Sequence, residues 1–205
     1  MSQRRPATGR APAPLTLSTR ERVFAAATEL IAEQGFAGTT VDEIAARAGV
    51  AKGTVFYQFG SKEHLFEELL RHGVDRLLDR LRQAVEGRHG WAALEALVRA
   101  ELEGAAEHLA FIQVFLAELF RTGRPWRPTL LELRGRATGM VHDVLLDGQR
   151  LGELDPGLDA EFAAGALLGA VAVVALDWLT YSPGRSLDDV HAAAVRMVRG
   201  RVGAA

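Results

Sequence analysis

The stretch TVDEIAARAGVAKGTVFYQF, residues 40–59, constrains the fold more than any other part of the sequence. Thr40, with Glu43 three positions on, matches a capping box and predicts that a helix begins here. Gly49 ends that helix after about two turns, because glycine readily takes the left-handed conformation of a sharp turn. A second short helix is predicted at 51–59 and ends at Gly60. Two short helices joined by a glycine turn predict a helix-turn-helix.

The rest of the chain has the apolar periodicity of amphipathic helices. Ser18 and Glu21 form a capping box for a first helix, which Gly35 ends. Ser61 caps a long fourth helix that runs to about Glu86. Later helices are predicted at about 91–104, 107–121, 128–150, 159–181 and 187–201. Because no strand alternation of useful length occurs, the predicted fold is all-α, with about nine helices.

Composition divides this chain into three parts. Residues 1–17 are rich in Pro, Ala and Arg and predict a disordered basic arm that carries Arg4, Arg5 and Arg10. Residues 18–64 are predicted to form a small N-terminal unit that contains the helix-turn-helix. Residues 65–205 are predicted to form a larger helical unit, so that the boundary falls inside the long fourth helix.

Charge is distributed unevenly along the chain. The formal net charge of the 205 residues is −2, so any affinity for nucleic acid must come from a local patch. Through Lys62, eight Lys and Arg residues stand against five Asp and Glu residues, a surplus of three. This surplus favours DNA binding at the N-terminal end.

Several classes of protein are disfavoured. The absence of cysteine excludes a disulfide scaffold and thiolate zinc sites. The N-terminus lacks the apolar core of a signal peptide. The most apolar run, Phe162 to Leu176, is expected to be too short for a bilayer of about 30 Å. We therefore expect a cytoplasmic protein without membrane contact.

The third helix has two chemically different faces. Val55 and Phe59 share the face expected to pack in the core, with Phe56 at its periphery. The opposite face is short or flat, uncharged and able to form hydrogen bonds, which suits the major groove. Thr40 at a helix N-terminus and two lysines are expected near phosphates. The predicted DNA-binding residues are Thr40, Lys52, Gly53, Thr54, Tyr57, Gln58 and Lys62.

These residues resemble the TetR/AcrR family of bacterial transcriptional regulators. The resemblance rests on Thr39-Thr40, Ile44-Ala45, Ala48-Gly49-Val50, Lys52-Gly53-Thr54, Phe59 and Gly60-Ser61-Lys62-Glu63. It is strong over about residues 18–78, and it continues in the helix order and in Gly148-Gln149…Gly152-Glu153-Leu154. Phe56 and Gln58 stand where many relatives carry tyrosine and histidine, which affects individual phosphate contacts.

The resemblance implies a homodimeric, ligand-responsive regulator, most often a repressor, that binds a pseudo-palindromic operator. It also implies that residues 18–64 are the DNA-binding domain and that residues 65–205 are the regulatory and dimerisation domain. An activator of the same architecture is an alternative. A helical ligand carrier or enzyme with a vestigial helix-turn-helix is a second alternative. Against an enzyme, no carboxylate pair, Ser/His/Asp set, histidine pair with metal-ligand spacing or phosphate loop is recognisable. We expect no metal and no cofactor.

A regulatory domain of this kind needs a concave apolar site for a small-molecule effector. The predicted pocket residues are Trp91, His108, Phe111, Phe115, Trp126, Met140, His142 and Trp178. Because the helix at 159–181 is apolar around much of its circumference, it needs a second surface to cover it. With the last helix it is predicted to form a four-helix dimer interface that contains Phe162, Leu167, Gly169, Val173, Val190, Ala194 and Met197.

Overall fold

A computed structural model describes residues 17–202. Within this range the chain forms nine α-helices and no β-strand. Their bounds are α1 Thr19–Gly38, α2 Val41–Ala48, α3 Lys52–Phe59, α4 Lys62–Val85, α5 Gly90–Glu107, α6 Leu109–Leu119, α7 Arg127–Arg150, α8 Ala160–Tyr181 and α9 Leu187–Val202. The all-α prediction is confirmed. The basic arm predicted for 1–17 lies outside the described residues, apart from Leu17.

The capping boxes found in the sequence are present in the structure. The Ser18 hydroxyl accepts a hydrogen bond from the Glu21 amide, and the Glu21 carboxylate accepts one from the Ser18 amide. The same reciprocal pair joins Thr40 and Glu43 at the start of α2. Gly35 interrupts α1 with a positive φ of 75°, so the last residues of that helix form a separate turn.

The turn between α2 and α3 has the predicted geometry. Gly49 is left-handed at φ 66° and ψ 41°, a conformation that costs glycine little. Ile44, Ala45 and Ala48 of α2 are buried together with Val55 and Phe59 of α3. The two short helices are therefore held by one small apolar core, shared with α1 and α4.

The other helices form a bundle around α5. That helix packs against α4, α7, α8 and α9, while α7 and α8 pack against each other. Helix α6 connects the N-terminal helices with the bundle, because it packs against α1 as well as α8.

The Gly148…Leu154 stretch fixes the connection from α7 to α8. A Cβ at Gly148 would collide with the Leu154 side chain, so this position has room only for glycine. Near it, the Asp147 carboxylate accepts a hydrogen bond from the Gly90 amide at 3.0 Å, and the Glu153 carboxylate accepts one from the Trp91 amide at 2.6 Å. These acids stabilise the N-terminus of α5, where free amides carry partial positive charge.

Trp126, at the start of α7, joins the bundle to the first helices. Its side chain is 1% exposed, and its ring centroid lies 4.3 Å from that of Phe36 and 4.8 Å from that of Phe66. The indole Nε1 donates a hydrogen bond to Glu118 at 3.1 Å. Glu118 is buried and also pairs with Arg121 and Arg124. This cluster of Phe36, Phe66, Trp126 and Glu118 is called the Trp126 cluster below.

Glu101 is a buried acid of a different kind. It is 8% exposed on the inner face of α5, one turn from Leu97 and Ala105. None of the described residues donates a hydrogen bond to its carboxyl group or pairs with it, and the carboxyl oxygens keep a small accessible area. Burial raises the pKa of Glu101 well above its ordinary value. Burial therefore favours the neutral form of this side chain, which can donate a hydrogen bond.

Helix α8 is longer than the apolar run that the sequence analysis considered. By length and composition alone, Ala160–Tyr181 would be able to cross a membrane, which corrects the expectation that this region is too short. In this chain 33% of its most apolar 18-residue window is buried, and the helix packs against α5, α6, α7 and α9. The remaining apolar surface of α8 is open.

Trp126→Ala is expected to destabilise the protein by about 3–5 kcal/mol, because it removes a fully buried aromatic side chain and leaves a cavity. Urea unfolding measures the difference. Phe120→Ala is the matched control, since Phe120 is 82% exposed, and it is expected to change stability by no more than about 0.5 kcal/mol. Equal effects of the two substitutions would show that Trp126 is not a core residue.

Glu101→Gln is expected to stabilise the protein increasingly as pH rises above about 4.3, the ordinary pKa of glutamate. In the native state the raised pKa keeps the proton on Glu101, whereas the unfolded chain releases it, so this group lowers stability as pH increases. Denaturant unfolding of both proteins at several pH values measures the difference. A difference that is constant with pH would contradict a neutral Glu101.

Candidate nucleic-acid interface

Helix α3 presents the predicted face to the outside. Val55 and Phe59 are buried, whereas Gly53, Tyr57 and Gln58 are exposed and Thr54 is half-buried. Tyr57 is 92% exposed, although an aromatic ring gains by burial. No packing within the described residues accounts for Tyr57, so its ring is available to an external partner.

Phe56 differs from the prediction. The sequence placed it at the edge of the core, but its side chain is exposed, and the Lys52 ammonium lies 5.9 Å from its ring centroid. The reason is that α3 is only two turns long and packs on one side. Sequence reasoning left Phe56 out of the site, although its i+4 spacing from Lys52 is a signal for this contact.

Thr40 is exposed at the start of α2, where its hydroxyl serves the capping box. It accepts a hydrogen bond from the Glu43 amide at 3.2 Å and donates one to the Glu43 carboxylate at 2.7 Å. The hydrogen bonds that the Thr40 hydroxyl and the Thr40 amide donate to the Glu43 carboxylate hold the pKa of Glu43 below its ordinary value. The cap is therefore established, and a contact between Thr40 and phosphate stays a prediction.

The two predicted lysines lie in different environments. Lys52 is exposed and pairs with Asp42 at 2.9 Å, a surface ion pair that contributes little stability and leaves the ammonium accessible. Lys62 is half-buried, and its ammonium donates to the carbonyl oxygens of Phe36 at 2.9 Å and Thr39 at 2.8 Å. It also lies 4.2 Å from the Phe36 ring centroid.

Lys62 therefore has a structural role that the sequence did not predict. It donates to two carbonyl groups at the end of α1, and the Phe36 carbonyl also accepts a hydrogen bond from the Thr39 amide. Two of its three N–H donors are used in this way, so a phosphate contact is left with the third. Arg47 pairs with Glu29 and Glu33, so its guanidinium is engaged within the chain and is less available to phosphate.

The eight predicted pocket residues are not brought together. His108 and Phe111 line one cleft of about 470 Å³ between α1, α4, α5 and α6. Phe115 and Met140 pack against the core, and Trp126 is enclosed in the Trp126 cluster.

The remaining three pocket candidates have partners within the chain. Trp91 donates to Glu95 and lies under the guanidinium of Arg199. The Trp178 indole donates to the Arg185 carbonyl, and His142 lies 3.6 Å from Asp143. The contacts of Trp91 with Glu95 and of His142 with Asp143 lie within one helix, whereas the contact of Trp91 with Arg199 depends on how α5 and α9 pack.

The cleft contains residues that sequence reasoning missed. His72 and Arg76 of α4 lie beside His108, and the Arg76 guanidinium is 2.8 Å from His108 Nε2. Their i, i+4 spacing places His72 and Arg76 on one face of α4, which is the only signal of this arrangement in the sequence.

The predicted dimer face is partly formed. Phe162 is 77% exposed and shares an open stripe of α8 with Val173 and the half-buried Gly169, and Met197 of α9 is also exposed.

Three of the residues predicted for the dimer interface point elsewhere. Val190 and Ala194 are buried against α5 and α8 of the same chain, and Leu167 is half-buried in that core. Val190 and Ala194 lie on an apolar face of α9 that the same chain covers, and Leu167 of α8 faces that same cluster, so these positions do not form an open dimer face.

Comparisons with known proteins agree with this architecture. Residues 23–69 match the family described as "Bacterial regulatory proteins, tetR family". The HTH-type transcriptional repressor KstR2 of Mycobacterium tuberculosis is 31% identical over 172 residues, covering 83% of this chain and 84% of the repressor. The structure of the ketosteroid transcriptional regulator KstR2 of Mycobacterium tuberculosis superposes with a TM-score of 0.75 at 27% identity, over 93% of this chain and 97% of that one.

A second solved structure is similar in fold. The transcriptional regulator FadR of Bacillus subtilis, solved in complex with stearoyl-CoA, has a TM-score of 0.76 at 22% identity, over 86% of this chain and 96% of that one. The relatives that this chain matches are regulators of transcription and not enzymes. The match in the helix-turn-helix, together with 31% identity along most of a named repressor, shows that this chain belongs to the TetR family of bacterial regulatory proteins.

Proposed function

We propose that this regulator is a repressor that binds a pseudo-palindromic operator through α3. The observation that carries the proposal is the exposed face of α3, where Tyr57 and Gln58 lie beside Gly53, which has no side chain. A helix fits the major groove, where such groups contact base edges and thymine methyls. Lys52, Lys62 and the N-terminus of α2 with Thr40 are proposed to contact phosphates.

The operator-binding form is proposed to be a homodimer. The open stripe of Phe162, Gly169 and Val173 on α8 supports this, since an exposed apolar stripe of this kind is covered when two copies pack about a two-fold axis. Two copies of α3 would then enter successive major grooves, with half-site centres about 34–36 Å apart. In this dimer α8 packs against its partner and not against lipid, so we propose a cytoplasmic protein without membrane contact.

The effector is proposed to be an apolar molecule that carries a carbonyl group, such as an acyl thioester of coenzyme A. Two observations support this class. Glu101 lies unpartnered on the inner face of α5, and burial raises its pKa and so favours the neutral form, which is able to donate a hydrogen bond to a carbonyl oxygen. FadR of Bacillus subtilis, which has the same fold, was solved with stearoyl-CoA.

Release from DNA is proposed to pass through the Trp126 cluster. Trp126 and Glu118 belong to α7 and α6 at the regulatory end, whereas Phe36 and Phe66 belong to α1 and α4. An effector that shifts α6 or α7 therefore moves the contacts of α1 and α4. By linkage, it must bind the DNA-incompetent state more tightly.

Tyr57→Ala is expected to weaken operator binding by about tenfold or more, because it removes the most exposed side chain on the outer face of α3. Lys52→Ala is expected to weaken binding less and to reduce the salt dependence, the slope of log K against log salt, by about one. The operator is first selected from random DNA with the full-length protein, and fluorescence anisotropy at several salt concentrations then gives both quantities.

Lys62→Ala separates the structural from the DNA-binding role of that lysine. It is expected to cost about 1–3 kcal/mol in urea unfolding, since two carbonyl groups lose a charged donor, whereas Lys52→Ala leaves stability nearly unchanged. Arg82→Ala, on the exposed side of α4, is the control for loss of one positive charge. Unchanged operator binding in both Tyr57→Ala and Lys52→Ala would contradict docking through α3.

Stearoyl-CoA is expected to release the operator, and Glu101→Leu is expected to raise the concentration needed by about tenfold, because it removes the hydrogen-bond donor. Glu101→Gln keeps a donor and is expected to respond more like the original protein. Anisotropy of the preformed complex measures release. Release that is insensitive to both substitutions would exclude Glu101 from the effector site, and absence of release would reject this effector class.

A further inference from the structure

A single residue, His108, joins α5 to α6 and is also tied to α4. It ends α5 and begins α6 with φ −135° and ψ 42°, and its backbone groups complete the adjoining turn of each helix. Its ring Nε2 lies 2.8 Å from the Arg76 guanidinium of α4. One turn away on each helix, the Phe111 ring rests against Gly73, where a Cβ would collide with it. His108 therefore lies where α4 meets the α5–α6 junction.

The contact between Arg76 and His108 depends on the protonation state of the histidine. A guanidinium carries N–H donors only, so His108 Nε2 is the acceptor of this hydrogen bond. A ring nitrogen accepts only when it carries no proton, which makes His108 neutral with its proton on Nδ1. A proton on Nε2 would remove the acceptor and place one cation beside another. The hydrogen bond therefore exists only while His108 is neutral.

A protonated His108 ring has a different partner within reach. The Glu107 carboxylate lies 3.8 Å from the same Nε2 atom. Glu107 also pairs with Arg80, but a carboxylate is able to accept hydrogen bonds from several donors. Protonation thus transfers the preference of Nε2 from Arg76 on α4 to Glu107 at the end of α5.

Other charged and titratable groups surround this contact on every side. They are Arg20, Glu21 and Glu29 of α1, His72, Asp75 and Arg80 of α4, and Glu107 of α5. Helix α6 carries Glu118, which is enclosed in the Trp126 cluster. Glu21 offsets part of the charge of Arg76, and the positive and negative groups nearly balance. The neutral state of His108 therefore depends on burial and on the direct contact with Arg76, and not on an excess of charge around it.

From this geometry we propose that Arg76 and His108 form a pH-sensitive latch between α4 and the α5–α6 junction. The latch is closed while Nε2 accepts from Arg76, and a proton opens it by turning Nε2 towards Glu107. Helix α4 begins at Lys62, directly after α3, and packs against it. Opening the latch frees α4 from the junction and lowers operator affinity in mild acid. This last step rests on the proposed function, whereas the latch itself does not.

The direction of the pH response follows from the surroundings of the two histidines. Burial, and after it the charge of Arg76, lowers the pKa of His108 and also that of His72, one turn before Arg76 on α4. In the unfolded chain a histidine has its ordinary pKa of about 6.5. The latch is therefore closed at neutral pH, and the stability that the neutral rings contribute is lost as pH falls below about 6.5.

The latch is tested without DNA by NMR titration of the histidine ring Cε1–H signals in the full-length protein. The spectrum of His108→Gln identifies the His108 signal. Its midpoint is expected below about 6.5, and Arg76→Gln is expected to raise it by about 0.5 pH unit, because a neighbouring positive charge is removed. Arg82→Gln removes the same charge from an exposed position of α4 and is expected to leave the midpoint unchanged. A midpoint above about 6.5 in the original protein, or equal midpoints in the two arginine variants, would overturn the latch.

The effect on DNA is tested by fluorescence anisotropy with the selected operator at about pH 7.5 and about pH 5.5. His108→Gln offers Arg76 an amide oxygen that does not titrate, so the original protein is expected to lose about fivefold more affinity in acid than this variant. His142→Gln is the control, since the His142 ring lies 3.6 Å from Asp143 on α7, and it is expected to lose as much affinity as the original protein. Equal losses in the original protein and His108→Gln would reject the regulatory step. If no operator binds at either pH, the proposed function fails, and the NMR titration alone decides the latch.

Discussion

The packing of Trp126 between Phe36 and Phe66 is the interaction on which the rest of the structure depends. These three rings belong to α7, α1 and α4, and they lie within about 5 Å of one another, the spacing of favourable aromatic pairs. The buried carboxylate of Glu118 fixes the indole by a hydrogen bond and is itself held by Arg121 and Arg124. The DNA-binding helices and the regulatory helices thus share one continuous core.

A shared core explains how a regulator of this size transmits a signal. Close-packed side chains move together because the interior has few voids into which one element could relax alone. Phe36 also lies under the Lys62 ammonium, which holds the end of α1 and the start of α4 together. We propose that a displacement at α7 reaches α1 and α4, which pack against α2 and α3, through contacts between Trp126, Phe36 and Lys62.

Buried acids illustrate two different uses of the same residue type. Glu118 has an indole and two guanidinium groups as partners, so its burial is compensated and it stabilises one arrangement of α6 and α7. Glu101 has no partner among the described residues, and its burial costs stability. A cost of this kind is expected at a functional position and not at a structural one.

Local features of the fold followed directly from the sequence. The capping boxes at Ser18 and Thr40, the left-handed Gly49 and the two faces of α3 depend on residues within about one turn of each other, so periodicity and capping rules identify them. Phe56 marks the limit of this reasoning, since whether a peripheral ring is covered depends on what packs beside a two-turn helix.

Contacts between distant helices were decided by tertiary structure alone. Trp126 was expected in a pocket and lies in the core, and Val190 and Ala194 were expected at a dimer interface and are covered by their own chain. Lys62, whose contact with DNA stays a prediction, also holds the end of α1. The sequence by itself determined the helices, the helix-turn-helix and the family, because those depend on local chemistry. Which apolar face meets which neighbour depends on how nine helices within residues 17–202 pack together, and only the tertiary structure decided it.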